Sequence, residues 1–102
     1  MNETGAANAI ATLADRLNAW KGEVVVLDAG SPYVVIGRLE SASADFVELT
    51  DADLHDFRDS ETTREIYLVK TARLGVQDNR ARVLVRLAEI VAVSRLADVQ
   101  AG

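Results

Sequence analysis

Residues 23–50 read EVVVLDAGSPYVVIGRLESASADFVELT, and this stretch decides the fold class. Glu23-Val24-Val25-Val26-Leu27 is short and β-branched, the composition of a strand. Asp28-Ala29-Gly30-Ser31-Pro32 is turn chemistry. Tyr33 to Glu40 forms a second strand. Gly37 inside it weakens the ladder and marks a sharp bend or a close backbone approach. Ser41-Ala42-Ser43-Ala44-Asp45 is small and polar, a tight connection. Phe46 to Leu49 opens a third strand, with Phe46 and Glu48 on one face and Val47 and Leu49 on the other. Three successive strands without a helical crossover imply an antiparallel meander.

Upstream, Ile10, Leu13, Ala14, Leu17 and Trp20 fall at helical spacings and predict a helix over 6–20. Gly22 follows as a left-handed stop. Downstream, residues 51–63 are acidic and read as a loop. Thr62-Thr63-Arg64-Glu65 fits a capping box with Thr62 as N-cap, so a second helix is expected over 62–74, closed by Gly75. In the strand from Arg82 to Leu87, Arg82, Leu84 and Arg86 alternate with Val83, Val85 and Leu87. After a short break at Ala88-Glu89, Ile90 to Leu96 is a final strand, and the tail from Ala97 is expected to fray. The order is helix, three strands, inserted helix, two strands. It predicts a mainly β single domain over 1–102: a bent, five-stranded antiparallel open barrel with the 6–20 helix across one open end and Leu17 and Trp20 beneath it. Strands one to three fall within 23–50, the acidic loop and inserted helix within 51–80, and strands four and five within 81–96.

Composition narrows the function. The 102 residues are 49% hydrophobic and contain no Cys, which fits one modest core and excludes a disulfide framework, a thiolate zinc site and a cysteine nucleophile. Apolar runs are too short to span a membrane, and Met1-Asn2-Glu3 lacks the basic start of a signal peptide; a soluble cytoplasmic protein is expected. The net charge of −5 argues against a strongly basic, non-specific nucleic-acid binder. It conceals an asymmetry. Residues 1–63 carry a net −8 and residues 64–102 a net +3, so the domain could present one acidic and one basic surface.

The element order resembles the Sm/Lsm superfamily of ring-forming RNA-binding proteins, which includes the bacterial chaperone Hfq. Gly37-Arg38-Leu39 matches the Gly-x-Leu of the family's bent second strand. Val85-Arg86 matches the apolar-Arg pair that ends its fourth strand, and Ile90-Val91-Ala92-Val93 looks like its fifth. Leu17 to Val24 looks like its entry from helix into strand one. The departures fall on the nucleotide pocket: Ser43 stands at the family's Asp position, Val47 at its Asn position and Leu87 at its Gly position. The resemblance implies a homo-oligomeric ring closed through strands four and five. It also implies single-stranded RNA contacts from Ser43, Asp45, Phe46 and Arg86 on pore-side loops. Without the family's amide, base specificity is expected to be altered or weak. Segment 51–80 lies outside the resemblance.

Each candidate has a plain reading beside the functional one. Arg86 stacks on a base or pairs with a phosphate, or else it forms a surface or intersubunit ion pair. Asp45 accepts from a base or from Arg86, or is a turn aspartate. Phe46 matches the family's buried Met, which predicts a core residue over a stacking platform. His55 with Asp51, Asp53, Asp56 and Asp59 could gather a divalent cation, but a loop this acidic is more often solvated, so no metal is expected. No Ser-His-Asp spacing, phosphate loop or GxGxxG motif is present, and neither catalysis nor a cofactor is expected. Two readings remain: an Sm-like RNA-binding ring, and an oligomeric scaffold or protein-interaction module that kept the fold and lost the RNA.

Overall fold

The computed structural model describes residues 12–30 and 32–100. Helix α1 (Leu13–Asn18) is followed by β1 (Val24–Ala29), β2 (Tyr33–Ala42) and β3 (Phe46–Asp56). Helix α2 (Arg64–Leu74), β4 (Arg80–Arg86) and β5 (Ile90–Arg95) complete the chain, with short 3-10 turns at 57–59, 87–89 and 96–98. All ladders are antiparallel, and the strand order is β4-β3-β2-β1-β5. Strands β4 and β5 are therefore the two edges.

The sheet is buried on both faces, by different partners. On the inner face Val25, Leu27, Val35, Leu39, Val47 and Leu49 pack with Leu17 of α1. On the outer face Val26, Val34 and Ile36 lie against Leu68 of α2, with Tyr67, Val76, Leu96 and Val99 around them. Alternation along β1 and β2 supplies both layers, since successive side chains point to opposite faces. This explains why 24–27 reads as an unbroken apolar run.

Gly37 makes the bend possible. A Cβ there would stand 2.8 Å from the Cβ of Ala52 and 3.1 Å from the Thr50 carbonyl oxygen. The β2–β3 register shifts at the same place, and Asp51 takes a φ of 48°, a bulge on the facing strand. Gly22, with a φ of 88°, makes the turn from α1 into β1 as expected.

Several expectations are corrected. The described part of the 6–20 helix is α1, capped by Thr12, whose side chain accepts from the Asp15 N–H; residues 6–11 lie outside the described residues. Leu17 is buried, but Trp20 is only half-buried, with the Arg95 guanidinium over its ring. The acidic loop 51–63 is strand as far as Asp56, because pairing to Tyr33–Ile36 overrides the low β-propensity of its carboxylates. The inserted helix is capped by Thr63, not Thr62: the Thr63 side chain accepts from the Ile66 N–H. The tail from Ala97 is tied down by Val99 on the outer core and by Arg95 bonding Asp98 at 2.9 Å.

Candidate nucleic-acid interface

The β2–β3 turn is built by one serine. Ser43 donates its N–H to the Phe46 carbonyl at 2.8 Å, and its Oγ accepts from the Phe46 N–H at 3.2 Å. The Asp45 carbonyl then accepts the Leu87 N–H at 2.8 Å, joining this turn to the β4–β5 connection. Phe46 stands directly opposite Arg86 in the β3–β4 ladder. Ser43, Asp45, Phe46 and Arg86 are thus brought to one end of the sheet, and all four are exposed.

Phe46 is 44% exposed, against the expectation of a core residue. It shares the outer face with Glu48 and Thr50, and α2 covers that face only over the opposite half of the sheet. Val47, at the position where the resemblance implies Asn, is fully buried in the inner core and offers no polar group. Among the described residues Arg86 has no carboxylate partner, whereas its neighbour Arg82 pairs with Glu48. An unpaired guanidinium beside an exposed phenyl ring can hold a phosphate and flank a stacked base.

The acidic stretch does something else. Asp53 is 3% exposed and lies beneath α2, where it accepts from the Tyr67 hydroxyl and, at 3.2 Å, from Asn79 Nδ2. Burial raises its pKa; the His55 charge opposes the rise and Asp78 adds to it. His55 stacks on Tyr67 with centroids 4.0 Å apart, and its buried Nε2 has no hydrogen-bond partner among the described residues. Asp51 faces Arg38, and Asp56 binds Arg58 at 2.7 Å. Among the described residues no three such groups converge as metal ligands.

Sequence reading missed Asn18, which bonds the backbone at the start of the β2–β3 turn. Its partner lies 24 residues away, and nothing local in the sequence signals it.

A bent five-stranded antiparallel sheet, with an N-terminal helix against its inner face and edge strands that pair with no further strand among the described residues, forms a small open barrel. No family model and no curated protein matches the chain. Among solved structures it is similar to a Pyrococcus abyssii Sm protein in complex with a uridine heptamer: TM-score 0.57, 17% identity, 83% of this chain and 99% of that one. It is also similar to an Sm-like protein from Archaeoglobus fulgidus: TM-score 0.55, 12% identity, 84% of this chain and 96% of that one. The chain has the Sm-like fold, in a divergent sequence with an added helix. No helix among the described residues is long and apolar enough to cross a membrane.

Proposed function

We propose that this protein binds single-stranded RNA as an Sm-like homo-oligomeric ring, with weak base preference. The observation that carries the reading is the exposed Phe46–Arg86 pair, placed by the ladder beside the Ser43–Asp45 turn. The similar Pyrococcus abyssii protein was solved with a uridine heptamer, which supports RNA as the ligand class. Val47, fully buried at the position where the resemblance implies Asn, presents no donor or acceptor to a base, which supports weak preference.

Ring closure through β4 and β5 is supported by the edge strands. Helix α2 lies over half of the outer face, and among the described residues β4 and β5 pair with no further strand. Leu84 on β4 is 57% exposed and Val91 on β5 is 77% exposed. An apolar groove of about 500 Å³ runs along β5, lined by Leu13, Leu17, Trp20, Val91 and Val93. Unpaired strand edges with exposed apolar side chains favour edge-to-edge pairing, and a head-to-tail contact that closes gives a ring.

The test is titration of the purified protein with uridine-rich, adenine-rich and duplex oligonucleotides at several salt concentrations. The reading expects single strands to bind with similar affinities and a steep salt dependence. Absence of single-strand binding at low salt favours the second reading, an oligomeric scaffold, which the loss of a polar group at Val47 also suits.

A further inference from the structure

Strand β2 outruns β1. The β1–β2 ladder ends at Val24 opposite Arg38. Two backbone bonds extend the contact to Leu39: its N–H donates to the Glu23 carbonyl and its carbonyl accepts the Gly22 N–H, both at 2.9 Å. On the other side, β2 stays paired with β3 as far as Ala42 opposite Val47. The last residues of β2 therefore carry backbone groups that face where β1 no longer runs.

A side chain takes the place of the missing strand. Asn18, the last residue of α1, donates Nδ2 to the Ala42 carbonyl at 2.8 Å and accepts the Ala42 N–H on Oδ1 at 2.9 Å. A carboxamide carries one donor and one acceptor side by side, so it can act as a peptide group would in a ladder. Asp lacks the donor, and Ala lacks both groups.

Ala42 immediately precedes the turn that presents the candidate RNA contacts. From Ala42 the bonds continue without interruption. Ser43 closes the turn onto Phe46, the Asp45 carbonyl holds Leu87, and Leu87 adjoins Arg86. Helix α1 is thereby connected to every candidate contact through one amide.

We propose that Asn18 is a positioning residue for the RNA site: it clamps the unpartnered end of β2 and so holds the Ser43–Phe46 turn in register with Arg86. The proposal rests on the RNA-binding reading above. Both ends of the Asn18 amide are used by Ala42, so its effect passes through the turn and not through a nucleotide contact. Its loss loosens the turn without removing a charge.

The test is Asn18→Ala in the full chain, read by amide hydrogen exchange and by binding of a labelled uridine oligomer. The amides of Ala42, Ser43, Phe46 and Leu87 are expected to exchange at least roughly tenfold faster, while those of Val26 and Ile36 are unchanged. Affinity is expected to fall roughly tenfold, with the slope against salt unaltered because no phosphate contact is lost. Wild-type exchange at the turn overturns the proposal, as does wild-type affinity in a protein that binds the oligomer. If the unsubstituted protein binds no oligomer, the RNA reading fails by itself, and the exchange rates still decide whether Asn18 holds the turn. Should Asn18→Ala not fold, Asn18→Ser, uncharged and too short to meet both Ala42 groups, is read in the same way, with the same outcomes expected.

Discussion

Asp53 and Tyr67 join the barrel to the inserted helix: a carboxylate on β3, almost fully buried, accepts the hydroxyl of a tyrosine on α2. No cation pairs with Asp53 among the described residues; the bonds it accepts come from neutral groups. Burial raises its pKa above the ordinary 3.8, so the folded protein holds this proton more tightly than the unfolded chain. The stability it contributes is complete below 3.8 and is lost as pH rises through the raised folded value.

Asp53→Asn is therefore expected to stabilise the protein at pH 7. Its carbonyl oxygen can accept from Asn79, and its amide can donate to the Tyr67 oxygen, with no charge left buried. Tyr67→Phe should instead destabilise by about 1–3 kcal/mol, because the carboxylate loses a donor. Asp15 and Asp56 have lowered pKa values, set by bonds to Thr12 and Arg58, and contribute the opposite slope. Melting temperature against pH for the unsubstituted protein and Asp53→Asn isolates the Asp53 contribution. A lower melting temperature for Asp53→Asn at pH 7 would contradict it.

Gly37→Ala should cost about 1–3 kcal/mol, since the added methyl meets the Ala52 Cβ and backbone atoms of Ala52 and Thr50 that cannot swing away. Denaturant unfolding measures it. A change under about 0.5 kcal/mol, the range of an ordinary surface substitution, would show that the strands separate freely there.

Val91→Glu places a charge on the exposed β5 edge and in the apolar groove beside α1. Charged edge strands resist pairing. Light scattering should report a closed oligomer for the unsubstituted protein and a monomer for the variant, with unchanged circular dichroism. A monomeric unsubstituted protein at micromolar concentration would refute ring assembly.

The parts of the fold legible in the sequence were those where local preference and tertiary pairing agree. β-Branched runs bounded by Gly30-Ser31-Pro32 gave β1 and β2, and Gly37 gave the bend. The second half of β3 was hidden because the bulge at Asp51 resets the alternation. Asp53 and His55 then turn toward α2, where Tyr67 receives them. Local chemistry describes those residues as a solvated loop; only the helix packed above them makes them interior. Phe46 was misread for the converse reason. Its face is the one α2 buries elsewhere, and α2 does not reach it. Ser43, Asp45 and Arg86 could be grouped from the resemblance, but the Asn18 clamp could not, since a side chain replacing a strand leaves no periodic trace.

The measurement that bears most directly on RNA binding is the affinity of Arg86→Ala for a single-stranded uridine oligomer across a salt series, beside Asp56→Asn as a control far from the site. The account predicts that Arg86→Ala weakens binding by about 1–3 kcal/mol, with a shallower salt slope if the guanidinium holds a phosphate. Asp56→Asn should leave binding unchanged or slightly tighter. Binding that is indifferent to Arg86, or no binding of any single strand at low salt, would contradict the account.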